Sequence, residues 1–340
     1  MSRFRSMDAL SHACHNLPQP DNGARAAIRA REAILTKPQG SLGTLEDLVA
    51  WFGSWRPLSL DTAALCVFAG NHGVLAQGVS SWPGSVTASM VGNFDRGGAA
   101  INQLARCADA ALHVIPVNGL KATNDITRAP ALSEAQFLEA VSLGYDAVPE
   151  TCDLLALGEM GIGNTTVAAA LSAALFGGEG RDWAGLGAGL DESGIRRKIS
   201  AIDRALALHG RDHDPLTLAR LYGGWELAAL LGAALAARHR RIPVLLDGFV
   251  VTAAVAPLAL CAEDGLAHVR IAHYSNEQGH RSLSAKLGLS PLLDLALRLG
   301  EGSGAALAIP LVRAAIACHT GMASFDDVAI ADGTNRISAR

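Results

Sequence analysis

Two hydrophobic periods alternate along this chain. Short apolar runs at 64–69, 112–117, 153–157, 244–247 and 268–273 predict buried strands. Between them, Ala- and Leu-rich stretches at 87–107, 165–176, 193–207, 224–239 and 249–262 carry helical spacing. Strands without polar alternation, interleaved with helices, predict a parallel sheet covered on both faces. Each predicted strand ends in polar or glycine-rich sequence. Sheets of this kind bind ligands at the carboxyl ends of their strands, so one cleft built from several loops is expected. The flanks differ. Residues 22–53 predict two helices broken at 37–43 by Pro38, Gly40 and Gly43. From about 285 helical patterning returns, through Leu292, Leu293, Leu295, Ala296 and Leu299 and then 305–316, before a tail at 331–340 that is expected to fray. There is no internal repeat and no low-complexity segment.

Composition narrows the class. With 340 residues, half of them hydrophobic and 18% charged, the chain suits one large α/β domain with a smaller addition and does not suit disorder. The net charge of −4 offers no basic face, which argues against nucleic acid. Cys14, Cys66, Cys107, Cys152, Cys261 and Cys318 are scattered without a C-x-x-C pair, so buried free thiols are expected rather than a zinc or redox motif. The first 21 residues lack the apolar core of a signal peptide. The apolar run at 242–262 holds Asp247, Gly248 and two prolines, and reads as strand, loop and helix rather than a membrane span. A cytoplasmic protein without membrane contact is the expectation.

The candidate chemistry lies in the glycine-rich turns. Leu157-Gly158-Glu159-Met160-Gly161-Ile162-Gly163-Asn164-Thr165-Thr166 joins a predicted strand to a predicted helix. Backbone N–H groups and the helix dipole there can cradle an anion, yet Glu159 adds a carboxylate. That pairing points to a site with two parts. A second turn, Gly185-Leu186-Gly187-Ala188-Gly189, precedes a helix carrying Arg196, Arg197 and Lys198. It reads either as a phosphate site with Lys198 as countercharge or as a surface loop and a solvated helix face. In a third, Glu301 lies between Gly300 and Gly302. A carboxylate in a water-poor pocket can act as a base near neutral pH, although an acid that merely complements a helix dipole has the same sequence signature.

His72 suits structure or substrate shaping better than a base. Asp247 ends an apolar strand as a loop-ordering or ligand-contacting acid. His273, Glu277 and His280 are conceivable metal ligands, but no metal is expected from their spacing. There is no G-x-x-x-x-G-K-[ST] loop, dinucleotide fingerprint, nucleophile elbow or Cys–His pair.

Taken together, six ordered segments resemble the nicotinate-nucleotide–dimethylbenzimidazole phosphoribosyltransferase family of cobalamin nucleotide-loop synthesis. They are 37–46 (KPQGSLGTLE), His72-Gly73-Val74 to Pro83, 97–102 (GGAAIN), 158–166, 273–280 and 300–304. The resemblance implies transfer of phosphoribose from nicotinate mononucleotide to 5,6-dimethylbenzimidazole, without metal or cofactor. It implies a Rossmann-like parallel sheet with helices on both faces over 60–290, and a small helical domain from 1–59 and 291–340. It also implies a homodimer.

By matching position, Glu301 resembles the general base and Glu159 a partner acid. Gly161, Gly163, Asn164, Thr165, Thr166, Gly187, Gly189 and Lys198 resemble the nucleotide and phosphate side. Ser275 resembles a phosphate or ribose contact, Ser80 and Ser81 the base pocket, and Asp247 a further substrate contact. The chain departs from the family at Ala188, where a Thr is frequent, and at Asn71, where an Asp is frequent. The alternatives are a related transferase with another aromatic acceptor and a nucleotide-binding protein without turnover.

Overall fold

In the computed structural model, which describes residues 3–187 and 189–328, five parallel strands form one sheet in the order β2-β1-β3-β4-β5. The strands are β1 (Ala63–Ala69), β2 (Ala110–Pro116), β3 (Leu154–Met160), β4 (Val244–Leu246) and β5 (Val269–Ile271). Helices α1 (Met7–His15), α2 (Asn22–Glu32) and α3 (Thr44–Gly53) precede β1. α4 (Ser85–Asp95) and α5 (Ala100–Cys107) lead to β2, and α6 (Glu134–Ala147) to β3. Then come α7 (Asn164–Phe176), α8 (Gly180–Trp183), α9 (Glu192–His209), α10 (Pro215–Tyr222) and α11 (Trp225–His239). α12 (Phe249–Cys261), α13 (Gln278–Leu287) and α14 (Ser303–Gly321) complete the order.

The unbroken apolar strands have a direct cause. Side chains alternate between faces, and both faces are covered. Cys66, Phe68, Leu155, Leu157, Val244 and Leu246 pack into one core with α6, α7, α11 and α12. Leu65, Val67, Leu154, Ala156 and Leu245 pack into the other with α3, α5 and α14. α14 is long and apolar enough to cross a membrane by composition, but it lies on the sheet with half of its apolar window buried. The two ends of the chain meet where Leu35 pairs with Ser324 in an antiparallel bridge.

All five predicted strands are present, and 242–262 forms β4, a turn at Asp247-Gly248 and α12. The expected helix over 87–107 is instead α4 and α5. It is broken at Gly97, whose φ of +75° a helix interior does not accommodate. The helical patterning at 292–299 forms no helix. Residues 292–293 pair beside the end of β5, with the Leu292 N–H donating to Ile271 O and the Tyr274 N–H to Leu293 O, and Ala296 takes a φ of +54°, which a helix interior does not accommodate. Those backbone groups are satisfied by the sheet edge, which overrides side-chain periodicity. Helices α1, α6, α8, α10 and nearly all of α13 lie outside the predicted set. The tail at 331–340 lies outside the described residues.

Candidate active site

A cavity of about 450 Å³ opens at the carboxyl ends of β3, β4 and β5. The strand order reverses between β1 and β3, and crevices for ligands form at such a reversal. Val79, Trp82, Val86, Met90, Ile162 and Leu299 supply apolar wall. The polar groups come from five segments: 80–81, 159–165, 247–250, 273–277 and 298–301.

Glu159 and Glu301 line this one cavity. Glu159 is the penultimate residue of β3, and its backbone carbonyl accepts the Glu301 N–H at 3.1 Å. The second turn is therefore pinned to the end of the strand. Gly158 permits the approach, since a Cβ there would lie 2.5 Å from Gly302 N. Gly300, Glu301 and Gly302 all have positive φ, +78°, +64° and +84°. Glutamate rarely adopts that conformation, and such strain at a site is held by the surrounding structure.

What holds it is Asp247. Its carboxylate accepts the N–H groups of Gly302 at 3.1 Å, Gly304 at 2.7 Å and Ala305 at 3.1 Å, and so caps α14 from another strand. His273 Nε2 lies 3.3 Å from the same carboxylate.

Both glutamates are poised for proton chemistry. Burial pushes Glu159 up to about 8, helped by the charges of Asp247, Glu226 and Glu301 and opposed by the amide of Asn164, which donates to Glu159 Oε2. Burial pushes Glu301 up to about 7, helped by Asp247 and opposed by the backbone N–H of Ile101. Glu301 Oε2 is buried and has no protein partner.

Beside Glu159, α7 begins at Gly163, whose φ of +91° turns the chain into the helix without a side-chain cap. The N-termini of α7 and α12 both face the cavity, so their dipoles favour an anion there. Lys198 is fully buried on α9. Its Nζ donates to Thr165 Oγ1 at 3.0 Å and Gly185 O at 3.1 Å. Burial holds its ammonium down to about 8, opposed by the charge of Glu277.

Among the expected site residues, Glu301, Glu159, Gly161, Gly163, Asn164, Thr165, Gly187, Ser275, Ser80, Ser81 and Asp247 lie on the cavity wall. Thr166, Gly189 and Lys198 do not. Thr166 faces the protein interior, because the helix has turned away by its third residue. Lys198 stands one layer behind Thr165, and the Gly189 carbonyl accepts from Ser81 Oγ at 3.4 Å. Asp247 lines the cavity and also orders the loop, its oxygens accepting backbone N–H groups and lying beside His273. Ala188 lies outside the described residues. Asn71 Nδ2 donates to Leu120 O at 2.9 Å, a contact an Asp could not make.

The conceivable ligands His273, Glu277 and His280 are not brought together as a set. His280 Nδ1 accepts the Ser275 N–H and its Nε2 faces Thr252 Oγ1, while Glu277 lines the cavity. Among the described residues no cluster of His, Cys, Asp and Glu is arranged to hold a metal ion.

Sequence reasoning missed Glu226. It is the second residue of α11, fully buried, with Nε2 of buried His72 2.6 Å from its Oε1. Its sequence signal is faint, a first-turn acid after Gly223-Gly224 at the head of an otherwise apolar helix.

Comparison with known proteins gives the family and the fold. The sequence profile of a phosphoribosyltransferase family matches residues 17–330. A nicotinate-nucleotide–dimethylbenzimidazole phosphoribosyltransferase from Mesorhizobium japonicum is 55% identical over 97% of this chain and 99% of its own. One from Ruegeria sp. is 50% identical over 98% of each chain. A crystal structure of an enzyme of that name from Thermus thermophilus superposes with a TM-score of 0.84 at 40% identity, covering 92% of this chain and 100% of the other.

Proposed function

The chain belongs to the nicotinate-nucleotide–dimethylbenzimidazole phosphoribosyltransferase family, and from that membership we infer that it transfers phosphoribose from nicotinate mononucleotide to 5,6-dimethylbenzimidazole. The products are α-ribazole 5′-phosphate and nicotinate. The observation that carries the site reading is the convergence of Glu159, Glu301 and the uncapped start of α7 on one cavity.

The chemistry needs little more. A ring nitrogen of the azole attacks C1′ of the ribose. The C1′–N bond to nicotinate breaks, and its electron pair neutralises the pyridinium nitrogen, so the leaving group needs no acid. The donor has β geometry and the product α, which in-line displacement with inversion supplies. Once one azole nitrogen bonds to carbon, the other must lose its proton. Glu301 takes it, being a buried carboxylate that titrates near 7 with one oxygen free of protein partners. Glu159 is the partner acid. The 161–165 turn and Gly187 hold the nucleotide phosphate, with Lys198 contributing its charge through Thr165. Ser275 contacts phosphate or ribose, and Ser80 and Ser81 border the acceptor. Most of the rate comes from holding two rings on opposite sides of one sugar.

A large α/β domain over 60–290 with a small helical unit from 1–59 and 291–340 is supported by the pairing of the two chain ends, although α14 also covers one face of the sheet. The homodimer rests on the resemblance and the cytoplasmic location on the sequence reading, and light scattering and cell fractionation test them. The activity is tested by incubating the purified protein with nicotinate mononucleotide and dimethylbenzimidazole and detecting ribazole phosphate by mass. Nucleotide binding without nicotinate release from any benzimidazole would overturn it.

A further inference from the structure

The buried pair His72–Glu226 has no part in the reaction as described, yet the fold makes room for it at three places. A Cβ on Gly70, at the end of β1, would overlap Glu226 Oε2. One on Gly161, after β3, would lie 2.7 Å from Glu226 Oε1, and one on Gly224, before α11, would lie 2.9 Å from His72 Nδ1. Both side chains are fully enclosed, and Glu226 Oε2 has no hydrogen-bond partner. An enclosed acid–imidazole pair is a costly feature for a fold to retain for stability alone. Gly161 separates it from the cavity. Asn164 Nδ2, which holds Glu159, lies on the same side of that glycine as Glu226: the Cβ position of Gly161 is 3.2 Å from Asn164 Nδ2 and 2.7 Å from Glu226 Oε1.

We propose that His72 and Glu226 are a positioning pair for the phosphoribosyl transfer, in which Glu226 is the acid packed beside the Asn164 amide that holds Glu159, and His72 is the group that holds Glu226 in place. Two adjacent acids in a dry site do not both ionise readily. A protonated Glu159 accepts from Asn164 on one oxygen and donates toward the cavity with the other. It cannot then compete with Glu301 for the azole proton. The pair thereby assigns opposite roles to two glutamates on one wall.

The charged and titratable groups around Glu159 are Glu226 from α11, His72 after β1, Asp247 after β4 with His273 after β5 behind it, and Glu301 before α14. Of these acids, Glu226 acts on Glu159 and is not among the groups acting on Glu301. The proposal rests on the reading of Glu301 as the base, and the two are separable because they govern different limbs of one pH profile.

The experiment is the pH dependence of kcat/KM for the wild type, Glu226→Gln and Glu159→Gln. In Glu226→Gln the alkaline limb is expected to move down by about one pH unit while the acid limb stays in place. A uniform loss at all pH values, or an unmoved alkaline limb, overturns the proposal. Should Glu226→Gln fail to fold by circular dichroism, Glu159→Gln made on a Lys198→Ala background decides: with neither group left to ionise near 8, the alkaline limb must vanish, and a persisting limb overturns the proposal. Failure of the Glu301 reading shows elsewhere, as an acid limb that survives in Glu301→Gln.

Discussion

Glu301 concentrates the chemistry in one strained residue. Its φ of +64° aims the carboxylate into the cavity, and glycines on either side absorb the turn. Replacement by Gln keeps the shape and removes the base. Glu301→Gln is expected to lower kcat by about 10²–10⁴-fold while nicotinate mononucleotide still binds within about twofold, as read by steady-state kinetics and calorimetry. An unchanged kcat removes Glu301 from the base role. Lys198 makes a different prediction. Lys198→Ala takes away a cation that reaches the site only through Thr165 and the Gly185 carbonyl. It should weaken nucleotide affinity by about tenfold and leave the KM for dimethylbenzimidazole nearly unchanged. An effect confined to the acceptor contradicts the placement. The glutamates and the lysine were legible as candidates because each sits in or just after a glycine-rich turn. Glu226 was not, since nothing in a first-turn acid says that it points inward rather than to water.

The turns work because elements meet. Asp247, at the end of β4, caps α14 and so carries the 300–302 turn to the end of β3. Its charge also raises both glutamates, whereas Glu226 raises only Glu159. In Asp247→Asn both limbs of the pH profile should therefore shift to lower pH. A shift of one limb alone would argue against this division of influence. The strand–helix alternation was readable from apolar runs, because a strand buried on both faces has no polar positions to confuse it. The segment at 292–299 was misread. Its leucines recur at helical spacing, but their backbone is taken up by the exposed edge of β5.

At the scale of the whole molecule, the site costs stability, and pH reveals it. Glu159 is raised from its usual 4.5 to about 8 in the folded state. Below about 4.5 both folded and unfolded chains hold this proton, and there is no penalty. As pH rises toward 8 the unfolded chain gives it up while the folded chain keeps it, so stability falls. Glu159→Gln removes that linkage and should raise Tm at pH 8 by more than at pH 5. Equal changes at both pH values would sink the argument. The sequence by itself determined the sheet, its helical covering and the three glycine turns, because hydrophobic period and backbone freedom are local properties. Only the tertiary structure decided which acids share a cavity, that Asp247 caps a helix from the cavity wall, and that Lys198 and Glu226 stand one layer back. Those outcomes depend on which strand ends are neighbours in the sheet, and on desolvation, which no stretch of chain possesses until the rest has packed around it.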